Sequence, residues 1–165
     1  MKLVLIILLV VLCGAIGFGI SNVYKQRKNF YESYLSFLEI LKTEIGFSAS
    51  KLDEIINKSI FNLHNKDFNC LLKNYINILS SEVSLTKEIL FKNIKFLNEN
   101  EKEDILLFFK NLGKTDIFNQ VDIIKSKTES VKGQCEKLKK ECEKFCPLYT
   151  KLGILSGLFL ALIIL

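Results

Sequence analysis

The charges of this chain all sit in its middle. Residues 3–20 carry none, and neither do residues 152–165. All 18 acidic residues and 22 of the 23 basic ones lie between Ser21 and Lys151. Uncharged stretches of that length have to be covered by protein or by lipid, so this arrangement restricts the fold more than composition does. Averages of 49% hydrophobic and 25% charged residues are ordinary for a globular chain and hide the pattern. The net charge of +5 comes with a single arginine, Arg27, so an Arg-rich surface for nucleic acid is excluded. Five cysteines in 165 residues do not make a disulfide scaffold.

As a helix, Leu3–Ile20 spans roughly 27 Å, close to the hydrocarbon core of a bilayer. It is followed by Lys25, Arg27 and Lys28. A cleaved signal peptide is the rival reading, with Lys2 as its short basic region. The length of the apolar run and the basic flank favour an anchor. Leu152–Leu165 covers only about 21 Å, but Lys151 can snorkel and let the helix start at Leu148. Lys137, Lys139, Lys140, Lys144 and Lys151 precede it. Basic residues thus flank both apolar stretches on the inner side, which places Ser21–Lys151 in the cytoplasm and both termini across the membrane. Gly153, Gly157 and Ala161 recur every four residues, a face where a second helix could approach, in the same chain or in another copy. The first stretch offers Gly14, Gly17 and Gly19, with Ala15 and Gly19 four apart.

The middle reads as helical. Phe30, Tyr34, Phe37, Leu41 and Ile45 step by three or four, widened by Tyr31, Leu35 and Leu38, and Gly46 is the expected stop. Ser50 with Asp53 opens a second helix carrying Leu52, Ile55, Ile56 and Leu63. After the polar break His64–Asp67 comes a third, with Phe68, Leu71, Leu72, Tyr75 and Leu79. Ser84 is placed to cap a fourth holding Leu90, Ile94 and Leu97. Asn100 with Glu103 caps a fifth, whose inner face is Ile105, Phe108, Phe109 and Leu112 and whose stop is Gly113. A sixth carries Ile117, Val121, Ile124, Thr128, Val131, Cys135, Leu138, Cys142 and Phe145 in alternating steps of four and three. That stripe suits a bundle core or a seam to a second copy. Pro147 is expected to kink the path at the bilayer. The fold class is therefore all-α: a cytoplasmic bundle of about six helices over residues 21–147, between membrane helices 3–20 and 148–165.

Catalytic chemistry finds no support. There is no phosphate-binding loop, nucleophile elbow or zinc-protease motif, and His64 is the only histidine. Cys135, Cys142 and Cys146 raise a metal or redox reading, but no CxxC pair accompanies them and two lie on the heptad stripe, where a thiol packs as a small hydrophobe. No cofactor is expected. Glu99, Glu101, Glu103 and Asp104 crowd a helix N-terminus, where negative charge is favourable, and could also meet a basic partner.

In order along the chain, LEILKTEI (Leu38–Ile45, including Glu44), LDEI (Leu52–Ile55), LGKTDIFNQ (Leu112–Gln120) and LYTKLGILSGL (Leu148–Leu158) resemble the stage III sporulation protein AB family. The third is similar to the family's LG-x-x-D-x-x-x-Q and the fourth to its LY-x-x-LG-x-x-x-GL. At the second helix entry, where members often carry Pro, this chain has Ser48-Ala49-Ser50. The resemblance implies a soluble part similar to the cytoplasmic domain of type II secretion F proteins. It implies a place in a secretion-like channel in the mother-cell membrane around the forespore. Its implied partners are the other channel proteins, a secretion-type cytoplasmic ATPase (sporulation protein AA) and membrane lipid. Leu112, Gly113, Asp116 and Gln120 fit the motif position by position. They read first as a structural corner and second as a docking point. The competing function is a secreted helical binding protein with residues 1–20 removed.

Overall fold

The computed structural model describes residues 2–47, 52–81, 84–114 and 116–164. Six helices follow one another: α1 (Lys2–Phe47), α2 (Leu52–Asn62), α3 (Lys66–Ser80), α4 (Lys87–Leu90), α5 (Glu99–Asn111) and α6 (Ile117–Ile164). No strand occurs among the described residues, so the fold is all-α. The chain divides into two compact units. One is Met1–Lys28 with Glu136–Leu165; the other is Asn29–Cys135. The first apolar stretch and the first amphipathic stripe are one uninterrupted helix of 46 residues, and α6 runs 48 residues through Pro147. A proline inside a helix withdraws one backbone donor. Here it does not end the helix.

The globular unit, 29–135, is built on the aromatic stripe of α1. Phe30, Tyr34, Phe37, Leu38 and Leu41 are fully buried. Phe68 of α3 meets Phe30, Phe37 and Tyr34 at ring-centroid distances of 5.3, 5.6 and 5.7 Å. Phe109 of α5 stacks on Phe37 at 5.9 Å and meets Tyr75 edge-on at 4.8 Å. Such pairs contribute about 0.5–1.5 kcal/mol beyond their burial. From α6, Ile124 and Val131 are buried inside this same unit. The heptad stripe therefore meets its own chain here, as a bundle core does. Ile117, at the stripe's start, stands 56% exposed instead.

Side-chain amides and carboxylates satisfy the helix ends. Asn65 caps α3 by accepting from Phe68 N–H at 2.9 Å. Asn69 donates to the Ile60 and Leu63 carbonyls at 3.2 and 2.7 Å, covering the C-terminal end of α2. Tyr75 donates its hydroxyl to the Phe109 carbonyl, one of the last four of α5. Burial pushes that phenol up to about 12, so it remains a donor at any physiological pH.

Several expected details shift. The inner face of α3 ends on Ile78, and Leu79 is 51% exposed. The fourth helix is a single turn that starts after Thr86, not Ser84, with no side-chain cap, and the buried Ile94 and Leu97 lie beyond it in irregular chain. The cap of α5 is Asn98, two residues before the expected Asn100. It forms a complete capping box with Glu101, both bonds at 2.8 Å. α1 ends at Phe47, so Gly46 falls in its last turn. The Ser50 cap and Ser48-Ala49-Ser50 lie outside the described residues.

Candidate functional site

In the hairpin unit, the two apolar stretches pack side by side and antiparallel. The contacts run in opposite order along the two helices. Val10 meets Gly157, Cys13 meets Gly157 and Gly153, and Gly17 meets Gly153 and Tyr149. Cys146 then donates its thiol to the Ser21 carbonyl at 3.4 Å, and Tyr24 stacks on Tyr149 at 5.8 Å. The approach is backbone to backbone. A methyl built on Gly153 would lie 2.8 Å from the Cys13 carbonyl oxygen, and one on Gly157 would lie 3.0 Å from Val10 Cα. Glycine is required at Gly153, where a side chain would strike backbone, and the fit at Gly157 is tight, which is how small-xxx-small faces join helices in lipid. Ala161, one turn beyond Gly157, is half-buried.

On α1 the small-residue face is Cys13, Gly17 and Ser21. Ala15 and Gly19, the pair expected from four-residue spacing, are exposed, and Gly14 and Gly19 have open space around them. Treating Cys and Ser as small would have revealed the correct face. The opposite faces are apolar and uncovered: Leu8, Val11, Leu12, Ile16 and Phe18 on α1, and Leu155, Leu158, Phe159, Leu162 and Ile163 on α6, are each more than half exposed. These two helices are long and apolar enough to cross a membrane. Their exposed faces fit lipid as solvent, since water would penalise them.

At the charged end of this hairpin, Tyr24, Phe145 and Tyr149 form a ring cluster with centroids 5.6–6.1 Å apart. Aromatic residues of this kind settle at the bilayer surface. Cys142 and Cys146 stand with their sulfurs 3.0 Å apart. Burial, then the contact with Cys146, pushes the Cys142 thiol up, away from a reactive thiolate. Among the described residues no group of three or more His, Cys, Asp or Glu side chains is placed to hold a metal ion.

In the globular unit, the motif residues Leu112, Gly113, Asp116 and Gln120 form the corner between α5 and α6. Leu112 is buried at the end of α5. Gly113 follows with φ +81°, the left-handed conformation that closes helices and strains side-chain-bearing residues. Its N–H donates to Gln120 Oε1 at 3.0 Å, and Gln120 is 3% exposed. Asp116 accepts from the Asn119 N–H at 3.0 Å, so it caps α6. That hydrogen bond, then the one from the Asn119 side chain, holds the Asp116 carboxyl below its ordinary range. Glu44 is apart from this corner. It pairs with Lys58, linking α1 to α2.

The acidic cluster is spent inside the fold. Glu99 pairs with Lys102 at 2.8 Å, Glu103 with Lys87 at 3.0 Å and Asp104 with Lys127 at 2.6 Å, while Glu101 completes the cap. Around the corner, exposed apolar side chains stand among polar ones such as Asn119 and Asp122. Phe118 is 87% exposed, and a groove between α5 and α6 is lined by Leu107, Phe108, Asn119, Asp122 and Ile123.

No curated protein and no solved structure matches the chain. The family described as Stage III sporulation protein AB matches residues 2–165, from the first apolar stretch to the last. Both the glycine-packed hairpin and the α5–α6 corner lie within that match, and the chain belongs to the stage III sporulation protein AB family.

Proposed function

We propose that this protein is a structural component of a sporulation assembly, held in the mother-cell membrane around the forespore by a two-helix hairpin. Its globular unit lies on the cytoplasmic side, where it docks a secretion-type ATPase, sporulation protein AA, within a secretion-like channel. The observation that carries the reading is the interlock of Gly17 with Gly153, which joins the two apolar stretches into one unit with an apolar outer face. Lysines and Arg27 flank that unit at one end, the pattern of a cytoplasmic border. The family supports sporulation as the process.

Secretion after removal of residues 1–20 fits poorly. Cleavage there would cut α1 in mid-helix and strip Gly153 and Gly157 of the backbone they touch. The docking face we assign is the α5–α6 side, because Phe118, Leu107 and Ile123 are exposed there, while Asp104 and Lys127 beside them pair with each other. Affinity capture of the full chain from sporulating cells tests the assignment. Recovery of the ATPase and other channel proteins is expected. Their absence, or a reporter placing the globular unit outside the cytoplasm, would overturn it.

A further inference from the structure

The hairpin unit holds the whole excess of positive charge. Residues 21–28 and 136–151 carry eight basic and three acidic side chains, whereas residues 29–135 carry fourteen basic and fifteen acidic ones. Lys25, Lys137, Lys139, Lys140, Lys144 and Lys151 are exposed. Their levels along the hairpin are fixed by contacts within the unit. Cys146 bonds to the Ser21 carbonyl, so these two residues share the level at which the first uncharged stretch ends. Lys144 lies just outside that level and Lys151 inside it. The two are about 10 Å apart along the helix, and the headgroup layer of one leaflet is about 5–8 Å thick. They bracket such a layer, Lys151 by reaching up from the apolar side. The rings of Tyr24, Phe145 and Tyr149 occupy the space between. The Lys144 ammonium lies 5.3 Å from the Phe145 ring centre and that of Lys25 lies 5.9 Å from Phe18. The first contact holds the Lys144 cation at the ring cluster, and the second holds that of Lys25 beside Phe18.

We propose that this collar binds the phosphates of anionic phospholipids, with Lys144 and Lys151 contacting headgroups and Lys137, Lys139 and Lys140 adding attraction within a Debye length of the surface. The inference rests on the membrane reading above and adds a lipid class to it. A neutral headgroup presents its phosphate beside its own cation, so only a net-negative lipid offers the collar uncompensated charge.

The test uses the full chain in neutral detergent micelles, with thermal unfolding followed as lipid is added. Phosphatidylglycerol is expected to raise Tm and phosphatidylcholine to leave it unchanged, with the difference shrinking in high salt. Lys137→Gln, Lys140→Gln and Lys144→Gln together should weaken the half-saturating lipid concentration roughly a hundredfold, about fivefold per lysine. The matching Arg triple variant should retain the response, as should Lys92→Gln, Lys95→Gln and Lys110→Gln in the globular unit. Equal stabilisation by phosphatidylcholine, the same shift with inorganic phosphate, or an unchanged response in the first triple variant would overturn the proposal. Flotation with neutral vesicles reads membrane insertion separately. A chain that floats but does not distinguish the lipids defeats only the lipid inference.

Discussion

Gly17 and Gly153 face each other across the hairpin so closely that a methyl group on Gly17 would lie 3.1 Å from Gly153 Cα and 2.5 Å from the Tyr149 carbonyl oxygen. Backbone is what would be hit, and backbone cannot swing aside. Gly17→Leu and Gly153→Leu should each separate the helices and destabilise the unit by about 1–3 kcal/mol or more. Gly14→Leu and Gly19→Leu, which point into open space, should not. Thermal unfolding of the full chain in micelles would report the loss. A wild-type Tm in all four variants would count against the contact.

The α5–α6 corner gives a second, local test. Gln120→Ala leaves the Gly113 N–H without its acceptor in a part-buried position, at a cost of about 1–2 kcal/mol. Gly113→Ala forces an alanine to φ +81° and should cost about 1–2 kcal/mol. Urea denaturation of the full chain in micelles measures both.

How far the helices could be read from sequence depended on the strength of their stripes. The α1 stripe from Phe30 to Leu41 was legible because every third or fourth residue is large and apolar, and all are buried. In α3 the adjacent Ile78 and Leu79 are equally apolar, so periodicity alone could not choose between them. Asn98–Glu101 and Asn100–Glu103 are identical cap pairs. Local spacing does not distinguish them. α4 is one turn long, below the length at which a period is visible. In the corner, the Gly113 stop was legible from its position after Leu112. The bond from Gly113 to Gln120 spans a loop whose path no helical period encodes.

The cap assignment can be settled by substitution. Asn98→Ala removes the acceptor for the Glu101 N–H and should cost about 1 kcal/mol. Asn100→Ala, inside the first turn and exposed, should change stability by less than about 0.5 kcal/mol. The reverse order in thermal unfolding would reassign the start of α5.

Acid should weaken the globular unit in a defined window. Hydrogen bonds from Asn119 depress the Asp116 carboxyl, and the bond from Lys102 depresses Glu99. A depressed carboxyl contributes stability above its unfolded value, about 4, and loses it as pH falls through the lower folded value. Tm should therefore be flat from pH 7 to about 5 and fall below about 4. Asp116→Asn keeps an acceptor for the Asn119 N–H but no longer titrates, so its acid limb should be shallower than that of the wild type.

Phe118 separates docking from folding. Its ring is 87% exposed, so Phe118→Ser removes little that the fold uses, and the change in stability should stay within about 0.5 kcal/mol. If the α5–α6 side receives the ATPase, an exposed aromatic there is placed to anchor the contact, and its loss should weaken binding by about 2 kcal/mol, roughly thirtyfold. Phe61 supplies the control. It is 90% exposed near the C-terminal end of α2, and Phe61→Ser removes a similar apolar area from a different helix. Capture of the ATPase by the two variants, with wild-type Tm in both, gives the comparison. Loss with Phe118→Ser alone supports the face. Equal loss with both would mean that general stickiness, not a site, held the partner.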